Sequence, residues 1–325
     1  MKKVISLILS LILAVSLLTA CASPKQTQTD VDFTVAIVQQ MDHPSLEEIC
    51  KAVSNQLAAL AEEQRLSVSV HVYNGQNDSS LLNQIGSEVA ADSFDIIIPI
   101  ATVAAQCMVT AADGKIPVVY AAISDPETAG LTGIPTVTGT SDALNTRFIL
   151  DMMLAVQPNV KTVGLLYSNS EPNSVVPIAD AKAYLDENGI AYLEKTGNTT
   201  DEVVAAANSL VGRADAVFTP TDNVVMGAEG AVGEILRDAR IPHYTGADSF
   251  VTSGAFATCG VNYTELGAKT ADIAMDILLG GEIPEFHVME GGIITVNTET
   301  AAALGLDYTP FSRLANTVKE VVTGG

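Results

Sequence analysis

Short polar clusters recur along this chain, each standing at or just past the end of a run of β-branched residues. Gln39-Gln40-Met41-Asp42-His43-Pro44-Ser45 follows the first such run, Ala101-Thr102 another, and Ser124-Asp125-Pro126 a third. Gly139-Thr140-Ser141-Asp142 comes next, then the long segment Ser168-Asn169-Ser170-Glu171-Pro172-Asn173-Ser174. Pro220-Thr221-Asp222-Asn223 and Gly246-Ala247-Asp248-Ser249 complete the set. Asp125, Asp142, Asp222 and Asp248 are suited to an ammonium group. Thr102, beside free backbone N–H groups at a helix start, is suited to a carboxylate. The only basic side chain near these clusters is Arg147, one turn into a helix. Phosphates and dicarboxylates call for guanidinium forks, so a zwitterion or a neutral polyhydroxy compound fits better. The same Ser, Thr, Asp and Asn residues also cap helices, and for any one of them capping is explanation enough. Their joint position carries more weight than their identity.

Catalysis has little to stand on. The four histidines, His43, His71, His243 and His287, are scattered, and only His43 lies in a polar cluster, where it reads as a rim or capping residue. There is no H-E-x-x-H, G-x-S-x-G, Walker A or G-x-G-x-x-G pattern. No catalytic residue, metal site or cofactor is expected. Cys50, Cys107 and Cys259 sit in apolar contexts with no metal-ligand spacing and read as buried thiols. The chain has no Trp, and Tyr120 and Tyr167 are the aromatics closest to strand ends.

The elements that must hold these clusters are strands alternating with helices. Strand-like runs occupy 33–39, 67–73, 94–100 and 116–121, with helical spacing over 44–63, 77–91 and 101–113. A second round follows Thr140: helix 143–157, strand 160–167, helix 174–188, strand 190–195, helix 201–211, strand 214–218, helix 223–239 and strand 241–245. Continuous apolar strands separated by helices predict parallel sheets covered on both faces. Two such rounds predict an α/β protein of two doubly wound parallel-sheet lobes, with the polar clusters meeting at the carboxyl edges of the strands. The tail adds a short strand (AFATCGV), a helix from Asn262 to about Leu279 and strands near 286–296.

The ends and the charge bound the setting. Lys2 and Lys3 precede an uncharged apolar stretch, Val4 to Leu18, too short to span a bilayer. Leu18-Thr19-Ala20-Cys21 resembles the bacterial lipoprotein box, which implies a signal peptide over 1–20, a diacylglycerol on Cys21 and, from the polar composition of 21–32, a tether. The formal charge of −22 and the lack of a basic stripe exclude nucleic-acid binding as the expected role.

Together the segments VAIVQQMDHPSLEEI, AAISDPETAGL, VTGTSDAL, GLLYSNSEPNS, FTPTDNVV and the NYTELG helix resemble the ABC-transporter substrate-binding lipoproteins of the tryptophan/tyrosine type, in order from about 33 to 285. The resemblance implies a type I periplasmic-binding protein with a multi-strand hinge. One lobe would comprise 33–140 plus about 258–285, the other 141–257 plus about 286–325. It also implies an amino-acid ligand, aromatic by preference, in the interlobe cleft. Positions matching family cleft motifs are Gln40, Ser124, Asp125, Thr140, Ser141, Ser170, Glu171, Asn173, Ser174, Thr221, Asp222, Asn223 and Asp248. Asp222 or Asp248 would meet the ammonium, and Thr102 with Ser124 the carboxylate. An ABC permease, a lipid anchor and a monomeric state are the implied associations. A sugar or other small metabolite as ligand, or a sensor docking on a receptor kinase, remain the alternative roles.

Overall fold

The computed structural model describes residues 31–324, so the leader, Cys21 and most of the expected tether lie outside the described residues. Strand β1 (Phe33–Gln39) is followed by helix α1 (Pro44–Gln64), β2 (Val68–Asn74), α2 (Ser79–Ala91), β3 (Ile96–Ile100), α3 (Thr102–Ala112), β4 (Val118–Tyr120) and β5 (Val137–Ser141). All five strands pair in parallel, in the order β2-β1-β3-β4-β5. β3 and β4 are buried at every position, as their unbroken apolar runs require of strands covered on both faces. β2, at the edge, is half-buried or exposed at every position.

The second round repeats this order. It comprises α4 (Thr146–Val156), β6 (Thr162–Tyr167), α5 (Val175–Glu187), β7 (Ala191–Thr196), α6 (Thr200–Asn208), β8 (Ala216–Thr219), α7 (Asn223–Asp238), β9 (His243–Thr245), the short helix α8 (Asp248–Thr252) and β10 (Ala257–Gly260). Helix α9 (Tyr263–Leu278) returns to the first lobe and packs along α1. Strand β11 (His287–Val288) pairs with β5, and β12 (Ile293–Asn297) runs antiparallel to β10. After α10 (Thr298–Leu304), β13 (Thr317–Val321) closes the second sheet, whose order is β7-β6-β8-β9-β10-β12-β13.

The chain therefore crosses between sheets after Ser141, between Gly260 and Tyr263, and between Val288 and Ile293. The last two crossings fall a few residues later than the expected positions of about 258 and 286. Gly260 still pairs with Ile293 in the second sheet, and Val288 with Ser141 in the first.

One strand was hidden by its composition. VTGTS reads as a loop, yet β5 is nearly all buried. At Gly139 a Cβ would run into the carbonyl and ring of Tyr120, so the glycine serves close strand packing rather than a turn. Cys50 and Cys259 are buried, Cys107 is half-buried, and all three are free thiols.

Candidate functional site

In sheets of the order 2-1-3-4-5 a crevice opens beyond the carboxyl ends of the strands, where the winding reverses between the first and third. The first lobe places His43, Ser45 and Thr102 there, and the second places Asn173, Thr221 and Asn223. The two crevices face each other across a narrow gap whose free volume is only about 30 Å³, so in this form the lobes leave little room between them. Leu46, Met226, Phe250 and Ala247 supply its apolar wall, and Ser124, Ser249, Asp142 and Tyr263 further polar groups. None of the described residues lining it is Lys or Arg.

Three of the helices that start around this space lack a capping side chain of their own, although Asp222 caps α7 and Asn262 caps α9 there. Asp78, Asn145, Thr199, Asn262 and Asn297 each cap their helix with a side-chain oxygen. His43, Ala101 and Ala247, which begin α1, α3 and α8 at the cavity wall, make no such bond. The first turns of α1 and α8 thus lack a capping side chain, whereas in α3 Gln40 Oε1 reaches across to accept from Val103 N at 3.2 Å. Ala101 also adopts φ 76°, ψ 162°, a region that is otherwise nearly glycine's alone, and Ala122 sits at φ 57°. Two strained alanines thus bring backbone to the cavity where a bulkier side chain would fill it.

Three lining side chains hold buried polar atoms with no protein partner: His43 Nδ1, Ser45 Oγ and Asn173 Oδ1. Buried polar atoms are normally paired, because losing water without a replacement costs roughly 1–3 kcal/mol. Burial holds the His43 imidazole below its usual range, so it is neutral at pH 7. Its Nε2 contacts Asn223 Oδ1 at 3.0 Å. Asp142 is buried at the hinge, where its carboxylate accepts from Ser124 Oγ at 3.0 Å and from the Tyr263 hydroxyl at 3.2 Å. Burial raises its pKa against those two bonds.

Of the sequence-selected residues, Thr102, Ser124, Asp142, Asn173, Thr221, Asp222 and Asn223 line the cavity. Asp222, fully buried, has its oxygens taken: Oδ2 accepts from Ser168 N and Ser174 Oγ, and Oδ1 from Val225 N. Ser174 is accordingly held within its own lobe. Asp248 lies in a separate hollow at the hinge, 3.5 Å from Lys319 Nζ. Asp125 closes its own turn through Thr128, and with Ser141 lines a different groove. Thr140 bonds Thr270 in the interior, and Ser170 is exposed beside Ser168. Gln40 and Glu171 bond each other rather than line the cavity. Ser45, Leu46, Met226, Phe250 and Tyr263 were not selected from sequence. Ser45 and Tyr263 begin helices, a signal that could have marked them; the other three look like ordinary core residues.

The lobes are closed on each other. Ser124 Oγ meets Thr221 Oγ1 at 2.9 Å, Gln40 donates to Glu171 at 2.7 Å, and one apolar cluster runs from Leu46 and Tyr263 across to Met226 and Phe250. Paired doubly wound lobes, three crossings and an enclosed gap with unpaired polar atoms define a solute-binding protein of the two-lobed type. The chain belongs to the ABC transporter substrate binding protein family, which it matches over residues 34–319. It is similar to a tyrosine-binding protein of Clostridioides difficile, 32% identical over 94% of this chain and 93% of that one. Among solved structures it resembles a Streptococcus pneumoniae ABC domain in complex with L-Trp, with TM-score 0.82, 28% identity, and 88% and 99% of the two chains covered. A ligand-free, open substrate-binding protein from Clostridium difficile is 31% identical over 90% and 99% of the chains, yet superposes with a TM-score of only 0.68. Better agreement with the less similar sequence fits the closed lobes seen here.

Proposed function

We propose that this chain captures an aromatic amino acid between its lobes and hands it to an ABC permease. The observation that carries the reading is the set of unpaired atoms, His43 Nδ1, Ser45 Oγ and Asn173 Oδ1, in a cavity otherwise walled by Leu46, Met226 and Phe250. Such a mixture suits a ligand with one zwitterionic end and one flat apolar end. Asp142 is the ammonium partner in this reading. The carboxylate goes to Thr102, Ser124 and the uncapped starts of α1 and α3, where backbone N–H groups favour an anion. Asn173, Thr221 and Asn223 complete the polar contacts, with Phe250 and Tyr263 beside the ring. The tyrosine-binding relative and the L-Trp complex support the same ligand class.

The chain acts as a monomer outside the cytoplasm, tethered through a lipid on Cys21. Among the described residues no helix is long and apolar enough to cross a membrane. Substituting Cys21→Ala should release the chain from the membrane fraction.

Calorimetry of the full-length chain against the twenty amino acids and a panel of sugars tests the ligand. One-to-one binding of L-Trp or L-Tyr is expected. Binding of a sugar alone would overturn the amino-acid reading.

A further inference from the structure

One buried carboxyl ties the two lobes together twice without bordering the cavity. Glu171, only 2% exposed, accepts from Gln40 Nε2 of the first lobe through Oε1 and from Asn223 Nδ2 of its own lobe through Oε2, both at 2.7 Å. Asn223 in turn meets His43 of the first lobe at 3.0 Å. The chain Gln40–Glu171–Asn223–His43 therefore crosses the gap at both of its ends. Gln40 is itself fixed: its Oε1 accepts from Val103 N at 3.2 Å and its Nε2 also reaches Asn77 Oδ1 at 3.1 Å.

Sheet order places this chain relative to the hinge. The crossings leave from β5, β10 and β11, at one side of the two sheets, whereas Gln40 follows β1 and Glu171 follows β6, each second from the opposite edge. Opening about the hinge moves that far side through the longest arc, so these bonds break first. Ser124–Thr221 and His43–Asn223 involve cavity-lining residues, where a ligand competes for them. Gln40 and Glu171 do not line the cavity, so a ligand there does not compete directly for their bond.

We propose that Glu171 is a positioning residue: with Gln40 it latches the cleft on the side away from the hinge, and through Asn223 it orients His43 toward the ligand. The role of His43 rests on the ligand reading above, whereas the latch itself does not. Closure also carries a proton. Burial, and then the neighbouring charge of Asp222 at the start of α7, push the Glu171 carboxyl up to about 8 in this closed form. When the lobes part, water reaches it and its pKa returns toward the ordinary value of 4.5. A group whose pKa is raised on closing stabilises the closed form in full below about 4.5, and that contribution is gone above about 8. The other titratable groups facing it are Asp222, raised by burial, and His43, lowered by burial and reached through Asn223. Comparison with a Glu171 variant separates their titration from its own.

The test is small-angle X-ray scattering of the ligand-free full-length chain from pH 5 to 9, with wild type, Glu171→Gln and Gln40→Ala. A neutral carboxamide removes the titrating charge and keeps one acceptor oxygen for Gln40 Nε2, giving up the bond from Asn223 Nδ2. The wild type is expected to expand as pH rises toward 8, Glu171→Gln to stay compact throughout, and Gln40→Ala to be expanded at every pH. Circular dichroism of each variant establishes that it is folded. Calorimetry with L-Trp and L-Tyr then should show wild-type affinity falling about tenfold between pH 6 and 8.5 and changing less than about threefold in Glu171→Gln. Identical pH dependence in wild type and Glu171→Gln, by scattering, overturns the latch. Failure of wild type to bind either amino acid, with the scattering result as expected, overturns the ligand reading and leaves the latch standing.

Discussion

Helices α3 and α7 start on opposite walls of one cavity, and they meet it in opposite ways. Helix α7 is capped by Asp222, whose carboxylate also gathers Ser168 and Ser174, so this helix start is satisfied before any ligand arrives. Helix α3 begins at Ala101, whose own side chain cannot cap and whose backbone is held at a positive φ, so that only Val103 N finds a side-chain acceptor, Gln40 Oε1. The first arrangement stabilises a lobe, whereas the second leaves N–H groups and strain facing the gap. A polar residue at a strand end is therefore ambiguous until its hydrogen bonds are counted. The residue most conspicuous in the sequence, Asp222, belongs to the scaffold, while an alanine marks the side prepared for a ligand.

Four substitutions sharpen or break that contrast. Asp222→Ala should have the largest effect, lowering stability by about 3 kcal/mol, because it removes a cap and strands Ser168 N and Ser174 Oγ in the interior; denaturant unfolding measures it. Asp142→Asn should weaken amino-acid binding by about 2 kcal/mol, roughly thirtyfold, with a smaller change in stability, since an amide still offers an oxygen to Ser124 or Tyr263. If instead Asp142→Asn binds like wild type and only unfolds more easily, the hinge carboxylate is scaffold too. Ala101→Gly should raise the free energy of unfolding by up to about 1 kcal/mol, through release of backbone strain at φ 76°; a loss of stability in denaturant unfolding would mean that α3 starts without strain. Asp248→Ala should change affinity and stability by less than about 0.5 kcal/mol, as its partner Lys319 is 3.5 Å away at a partly exposed hollow.

Much of the framework was legible in the sequence. The apolar runs of β1 and β3 and the amphipathic spacing of α1 and α9 are local signals, because a buried strand or a half-buried helix must repeat its apolar residues at its own period. β5 escaped because Thr, Gly and Ser carry no such period, and only its neighbours β4 and β11 make VTGTS a strand. α8 and β13 escaped because five residues are too few for a period to declare itself. Strand-end polar clusters were equally visible, and seven of the selected side chains do line the cavity. Gln40 and Glu171 were selected for a ligand and found bonded to each other, 131 residues apart in sequence. Leu46, Met226 and Phe250 could not be told from core residues, since a side chain that packs on a solute obeys the same apolar rule as one that packs on protein.

From sequence alone came the alternation of strands and helices, the two rounds of it, the absence of basic groups from the clusters, and the edge on which those clusters stand. All of these follow from local periodicity and from the rule that chain connections end at strand edges. Tertiary structure alone decided which polar atoms are already paired, which helix starts are left open, and where the two lobes touch. Those outcomes depend on distances between residues far apart in the chain, and a hydrogen bond made or missing there is invisible to any pattern read along it.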